Sequence, residues 1–281
     1  MENRLAGTRS VGPLECRPNM VQLYCHSLVR SDSPFPVGGA PIPASTTVPP
    51  VPAFEHHPGV RGRQREAYEL AEQLRRVIAL SVSTAPPPED TARLAARIKE
   101  VADELEGHRP ETPIPRFLFS SPDDMPNGVP LGGAMPYDPI IGPFNPLALP
   151  VRLTFEPPKA YGFATFGVAY EGAPGCVHGA ALLATFDIIL TAANAIAGAT
   201  GPTVRLGLHF RRPTLAYEEA QFEGWVTEVT DRRVFSKGQI VQGGVVTVEA
   251  DGEFAILNRD GVDRMAAGRR RSFDGAAEVG G

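Results

Sequence analysis

Three cysteines, Cys16, Cys25 and Cys176, are too few and too unevenly spaced for a disulfide framework or a zinc site, so cross-links do not hold this 281-residue chain together. Basic residues are also scarce. The 27 Lys and Arg stand against 32 Asp and Glu, a net charge of -5, which removes the general electrostatic case for nucleic acid or an anionic membrane as partner. The opening stretch MENRLAGTRSVGPLECRPNM has no apolar core of the secretory kind. The longest apolar run is interrupted by an aspartate, so no membrane span is expected from it. These absences predict a globular protein of a reducing compartment, with the cytoplasm as the default location.

Proline and glycine, by contrast, are abundant at 29 each, and most of them lie outside the apolar run. Residues 1–60 include SPFPVGGAPIPASTTVPPVPAF, which has few large apolar residues and no period, and is expected to lack regular structure. Residues 61–139 are expected to hold a helical hairpin and a loop. Ala67, Leu70, Ala71, Leu74, Val77 and Ile78 recur at helical spacing, and after three prolines Leu94, Ile98, Val101 and Leu105 do so again, with Asp90 as N-cap and Gly107 at the end. From 109 to 150 the chain reads as a long Pro/Gly loop, a length that is unusual unless the loop covers something. Residues 259–281, with GRRRSFDGAAEVGG, read as a solvated tail.

The informative segment lies between His178 and Arg205. In GAALLATFDIILTAANAIAGATGPTV the only ionisable side chain is Asp187, and a carboxylate in such surroundings is costly unless it is paired. Just upstream, GAPGCVHG is a loop of small residues ending at His178 and Gly179, where the helix would begin. A helix start offers unpaired N–H groups and a positive dipole end, suited to a developing oxyanion. Donors for an oxyanion together with one acid suggest acyl transfer, and hydrolysis in particular. Gly179 and Asp187 are eight residues apart, which is roughly 12 Å along a helix at ~1.5 Å per residue, so they cannot serve one carbon from one chain. Two chains with central helices antiparallel about a two-fold axis would bring them together, and an obligate homodimer is therefore expected. The competing readings are plain ones: Asp187 as a structural acid, His178 as a cap or loop-orienting residue, Cys176 as a small buried thiol rather than a nucleophile, and Trp225 as packing.

Around this helix the pattern alternates. Val151, Leu153 and Phe155 begin one strand, YGFATFGVAYEG holds a second, and Val204, Leu206, Leu208 and Phe210 mark a third after the helix. QFEGWVTEV, RVFSKGQIV and VVTVEADGEFAIL follow. Two strands, an apolar helix and four strands predict an α+β domain: an antiparallel sheet of about five to six strands, with meander connections, wrapped around a helix that is apolar on every side.

GAPGCVHGAALLATFD, with FNPLALPVRLTF before it and LHFRRP after it, resembles the hotdog-fold acyl-CoA thioesterases, in particular the phenylacetate-pathway type and the mammalian thioesterase-superfamily relatives. The resemblance covers roughly residues 140–258 and implies hydrolysis of an acyl-CoA to free acid and coenzyme A without metal or redox cofactor. It also implies roles. Asp187 matches the family's catalytic acid, acting as general base or nucleophile; Gly179 the residue whose N–H binds the carbonyl oxygen; His178 the adjacent histidine; and Thr203 a hydroxyl that positions the attacking water. His209 and Arg211 match positions flanking coenzyme A, and Arg232 with Arg233 resembles a basic turn meeting its phosphates, for which the guanidinium fork is suited. The chain departs from the pattern at Ala180, where many relatives have a second glycine, and at Gly172, where some carry an asparagine. Partners implied are an acyl-CoA substrate and a second copy, as a dimer or a dimer of dimers, with neither nucleic acid nor membrane. The alternatives are a non-catalytic acyl-CoA binding or regulatory protein on the same fold, and a hotdog dehydratase or hydratase, against which the lack of a second acid counts. Acyl chain identity, and coenzyme A against a carrier protein, are not specified by these residues.

Overall fold

The computed structural model describes residues 57–111, 114 and 135–256. Cys16, Cys25, most of the Pro/Gly loop and the expected C-terminal tail lie outside the described residues, as does the expected unstructured segment up to residue 56. Its last four residues differ from expectation: 57–60 form a turn in which His57 and Val60 are fully buried.

The expected order of elements is the observed one. Helices α1 (Gln64–Ser81) and α2 (Pro88–Gly107) precede strands β1 (Val151–Glu156) and β2 (Lys159–Thr165). The long helix α3 (Gly179–Ile196) follows, then β3 (Thr203–Phe210), β4 (Glu219–Val229), β5 (Arg233–Gln242) and β6 (Val245–Ala255). All six strands form one antiparallel sheet in the order β1-β2-β4-β5-β6-β3. This corrects the meander. Helix α3 carries the chain across the sheet to its far edge, where β3 pairs only with β6, and β4 then returns to lie beside β2.

Helix and sheet meet through a dry core. Phe166, Phe186, Phe222, Leu182, Ile189 and Ile240 are essentially without exposure, and Phe186 meets Phe222 edge-on with centroids 5.3 Å apart. The helix can come this close because paired positions in the strands beneath it have no side chain. A Cβ on Gly238 would lie 2.8 Å from Phe186 Cε1, and one on Gly224, its cross-strand partner, 2.8 Å from Ile189 Cγ2. Two buried polar residues lock the contact, with Ser236 of β5 and Asn194 of α3 hydrogen-bonded at 2.5 Å.

The expectation that the sheet encloses the helix is only half met. Leu182, Phe186, Ile189, Leu190 and Ala193 face the sheet, but Ala180 and Leu183 are exposed and Ala184, Asp187 and Thr191 half-buried, a strip along the opposite side. By length and composition α3 is apolar enough to cross a membrane, contrary to expectation; its buried side is packed on the sheet.

The N-terminal helices also depart from the reading. Helix α2 starts at Pro88 with Pro87 as N-cap, and Asp90 sits inside the first turn, paired with Arg93 at 2.5 Å. The two helices do not close into a packed hairpin: α1 and α2 make almost no contact, and α2 has no buried residue. Helix α1 packs instead on the segment leading into β1. Phe144 and Val60 form a small core with Ala67, Tyr68 and Tyr137, and Arg75 donates to the carbonyls of Pro143 and Asn145 at 2.9 and 2.7 Å. What the described end of the Pro/Gly loop covers is thus α1.

Candidate active site

The loop before α3 is held on both sides. Gly175, at φ +72°, makes the turn that a residue with a side chain rarely adopts. On one flank His178 N–H donates to Tyr170 O at 2.8 Å. On the other, Val177 N–H donates to Thr214 O and Ala216 N–H to Gly175 O, both at 2.9 Å. The segment after β3 that supplies this acceptor and this donor is clamped by the amide of Gln242, whose Oε1 accepts from Leu215 N–H at 2.7 Å and whose Nε2 donates to Leu215 O at 3.0 Å. A nearly buried side chain of β5 therefore fixes where α3 starts.

At the helix start the first amides are unequal. Ala180 N–H donates to His178 Nδ1 at 3.0 Å, so His178 is the N-cap. Ala181 and Leu182 donate to His178 O at 3.0 and 3.3 Å. Gly179 N–H has no acceptor among the described residues, and it points from the positive end of the helix. Beside it lies Phe210, whose Cζ would be 3.0 Å from a Cβ on residue 179. At Gly172, one of the departures from the family pattern, a Cβ would sit 3.0 to 3.2 Å from His178 Cα, Cδ2 and Cβ, so a side chain here would require His178 to shift.

Two turns further on, Asp187 is half-buried on the strip of α3 that the sheet leaves open. Thr203, first residue of β3, donates its hydroxyl to Asp187 Oδ1 at 2.5 Å. A short O–H···O bond to a carboxylate is strong for its kind and fixes the acid's orientation. The acid is thus partly exposed and hydrogen-bonded to a residue of the next strand, rather than fully buried as its apolar neighbours in sequence suggest.

The four proposed coenzyme A contacts fall at two places. His209 and Arg211 lie at the end of β3 near Gly179; Arg211 pairs with Glu249 at 2.5 Å, and His209 Nε2 is 3.7 Å from Asp251 Oδ1. Arg232 and Arg233 lie at the β4–β5 turn, across β6 from Thr203, where Arg233 pairs with Glu253 at 2.8 Å and Arg232 is exposed without an ion pair among the described residues. The candidate residues therefore fall into two groups. His178, Gly179, Phe210, His209 and Arg211 gather toward one end of β3, and Asp187, Thr203, Arg232 and Arg233 toward the other, with Gly179 and Asp187 roughly 12 Å apart along α3 at ~1.5 Å per residue. Phe210 and Gln242 went unnoticed in the sequence. Phe210 reads there as one more residue in an alternating strand, and nothing local marks Gln242. Among the described residues no group of His, Cys, Asp or Glu is placed to hold a metal ion.

The thioesterase superfamily model matches residues 174–249, from the loop before α3 into β6. No curated protein matches the chain. A thioesterase superfamily protein of known crystal structure is 29% identical with a TM-score of 0.59, over 67% of this chain and 94% of its own. Thioesterase superfamily member 2 of zebrafish is 18% identical with a TM-score of 0.36, over 38% of this chain and 82% of that one. A point mutant of the phenylacetic acid degradation protein PaaI from Thermus thermophilus is 17% identical with a TM-score of 0.37, over 39% and 95%. The sheet and α3 are a hotdog fold, and residues 174–249 of it match the thioesterase superfamily.

Proposed function

We propose that the protein is a thioesterase that hydrolyses an acyl-CoA to a free acid and coenzyme A, acting as a homodimer. The observation that carries the reading is the pairing of Thr203 with Asp187 on the strip of α3 that the sheet leaves open, together with the Gly179 amide at the start of α3, which has no acceptor among the described residues. A two-fold axis perpendicular to α3 and passing through that strip near Leu183 would run the two helices antiparallel and seat Gly179 of the partner subunit opposite Asp187. It would also cover the apolar Leu183, which is 39% exposed in the single chain.

In this arrangement the thioester carbonyl oxygen accepts a hydrogen bond from Gly179 N–H. Thr203 holds one oxygen of Asp187, and the other takes a proton from water as that water attacks the carbonyl carbon. Negative charge develops on the carbonyl oxygen facing the helix end. Collapse of the tetrahedral intermediate breaks the C–S bond and releases the coenzyme A thiolate, which picks up the proton held by Asp187. If Asp187 itself attacked, the thiolate would leave from a mixed anhydride, and a single turnover in H2(18)O would leave label in the Asp187 carboxylate when water opened that anhydride at the aspartyl carbon. Arg232, free of ion pairs among the described residues, suits the phosphates of the leaving group. The cytoplasm is the proposed compartment, on the strength of cysteine usage alone.

The test is thiol release from a panel of acyl-CoAs. Asp187→Asn removes the base while keeping the shape, and turnover should fall at least ~1000-fold with the dimer and its melting temperature retained. Full activity in this variant would show that the acid is structural. Saturable binding of every acyl-CoA with no thiol released by the native chain would favour the non-catalytic binder instead.

A further inference from the structure

Helix α2 lies outside everything described so far. Leu94, Ile98, Val101 and Leu105 are spaced four, three and four residues apart and form one stripe, and they are 43%, 48%, 46% and 45% exposed. That is the seam spacing of a helix packed along another helix. No element among the described residues covers it.

The charges beside the stripe point to what does. Along the stripe the cations come first and the acids after, Arg93, Arg97 and Lys99 and then Glu100, Asp103, Glu104 and Glu106, with Glu89 and Asp90 in the turn before it. Arg93 pairs with Asp90, Lys99 with Asp103 and Glu106 with Arg109. Arg97 and Glu104, the two charged residues flanking the stripe on one side, make no ion pair among the described residues. On the other flank Ala95 and Ala102 leave room for close approach. A stripe flanked by Arg97 near its start and Glu104 near its end complements a copy of itself only when the copy runs the opposite way, the arrangement that a two-fold axis perpendicular to the helix produces.

We infer that α2 pairs antiparallel with α2 of a second copy of this chain, forming a two-helix seam separate from the proposed active-site interface. Leu94 lies against Leu105 of the partner subunit, Ile98 against Val101 of the partner subunit, and Arg97 faces Glu104 of the partner subunit in two symmetric pairs. The stripe is under three heptads long, so two isolated α2 peptides would associate weakly; attachment to an already associated domain raises the effective concentration of one for the other.

The test uses the full chain with Cys16, Cys25 and Cys176 changed to Ser, in two versions carrying either Leu94→Cys or Leu105→Cys. Mild oxidation of the two mixed should give a disulfide-linked pair in at least ~10-fold higher yield than either alone, because in the antiparallel seam like positions are ~16 Å apart along the helix, beyond disulfide reach. Arg97→Glu or Glu104→Arg should each lower that yield roughly 3- to 10-fold, and the two together should restore it. Cross-linking of one version with itself, no cross-link in the mixture, or a double variant that stays low would each overturn the pairing. Thiol release by the charge variants should be unchanged, so the fate of this seam and of the thioesterase reading are decided separately.

Discussion

Replacing Thr203 by Val removes one hydroxyl and almost no volume. The bond it deletes is the 2.5 Å donation to Asp187 Oδ1. Hydrogen bonds to charged groups are worth ~1.5–3 kcal/mol when nothing replaces them. In the resting chain water does replace this one, because Thr203 is exposed and Asp187 half-buried, so the melting temperature should hardly move, a change within ~0.5 kcal/mol. In the proposed reacting complex the acyl group and the second subunit cover Asp187, and no water can take the hydroxyl's place. The full loss is then felt in the transition state, where ~1.5–3 kcal/mol is roughly a 10- to 150-fold drop in kcat. Thr203→Ser keeps the hydroxyl and should stay within about threefold of the native rate by the same reckoning. Initial rates of thiol release at saturating acyl-CoA, alongside thermal melts of all three proteins, give the answer. A Val variant as fast as the native chain, or a Ser variant as slow as Val, would refute the idea that this hydroxyl orients the acid.

Substitutions at Gly238 and His178 probe the framework around the site. A methyl group on Gly238 would stand 2.6 Å from Glu223 O and 2.8 Å from Phe186 Cε1, so Gly238→Ala should cost about 1–3 kcal/mol and lower the melting temperature by several degrees, whereas Gly167→Ala, where nothing lies within 4 Å, should melt like the native chain. His178→Ala frees the Ala180 amide and should cost ~0.5–2 kcal/mol in chemical denaturation, which His178→Asn should largely recover; equal losses in both variants would mean that capping is not what the ring contributes.

The helix and the strands were legible because periodicity is a local property. Residues 179–196 are apolar on nearly every side, so a helix in contact with much of its surroundings follows from the composition of that stretch, and the alternation at 151–155, 204–210 and 245–255 needs no knowledge of neighbours. The spacing of Gly179 and Asp187 along one helix was legible for the same reason, and with it the argument that one chain holds only halves of a site. Strand order was not. That β3 pairs with β6, and not with the strand that follows it, depends on where the crossing helix delivers the chain, a long-range fact with no local signature. Nor could the sequence show that Gly179 keeps a spare N–H, since this rests on His178 claiming the amides beyond it. The stripe on α2 shows the division most plainly: its four apolar residues can be read from spacing alone, but only the folded chain reveals that nothing among its described residues covers them. Patterns along the chain specify which faces must be buried, and the tertiary structure decides against what, because burial is a contact between segments far apart in sequence.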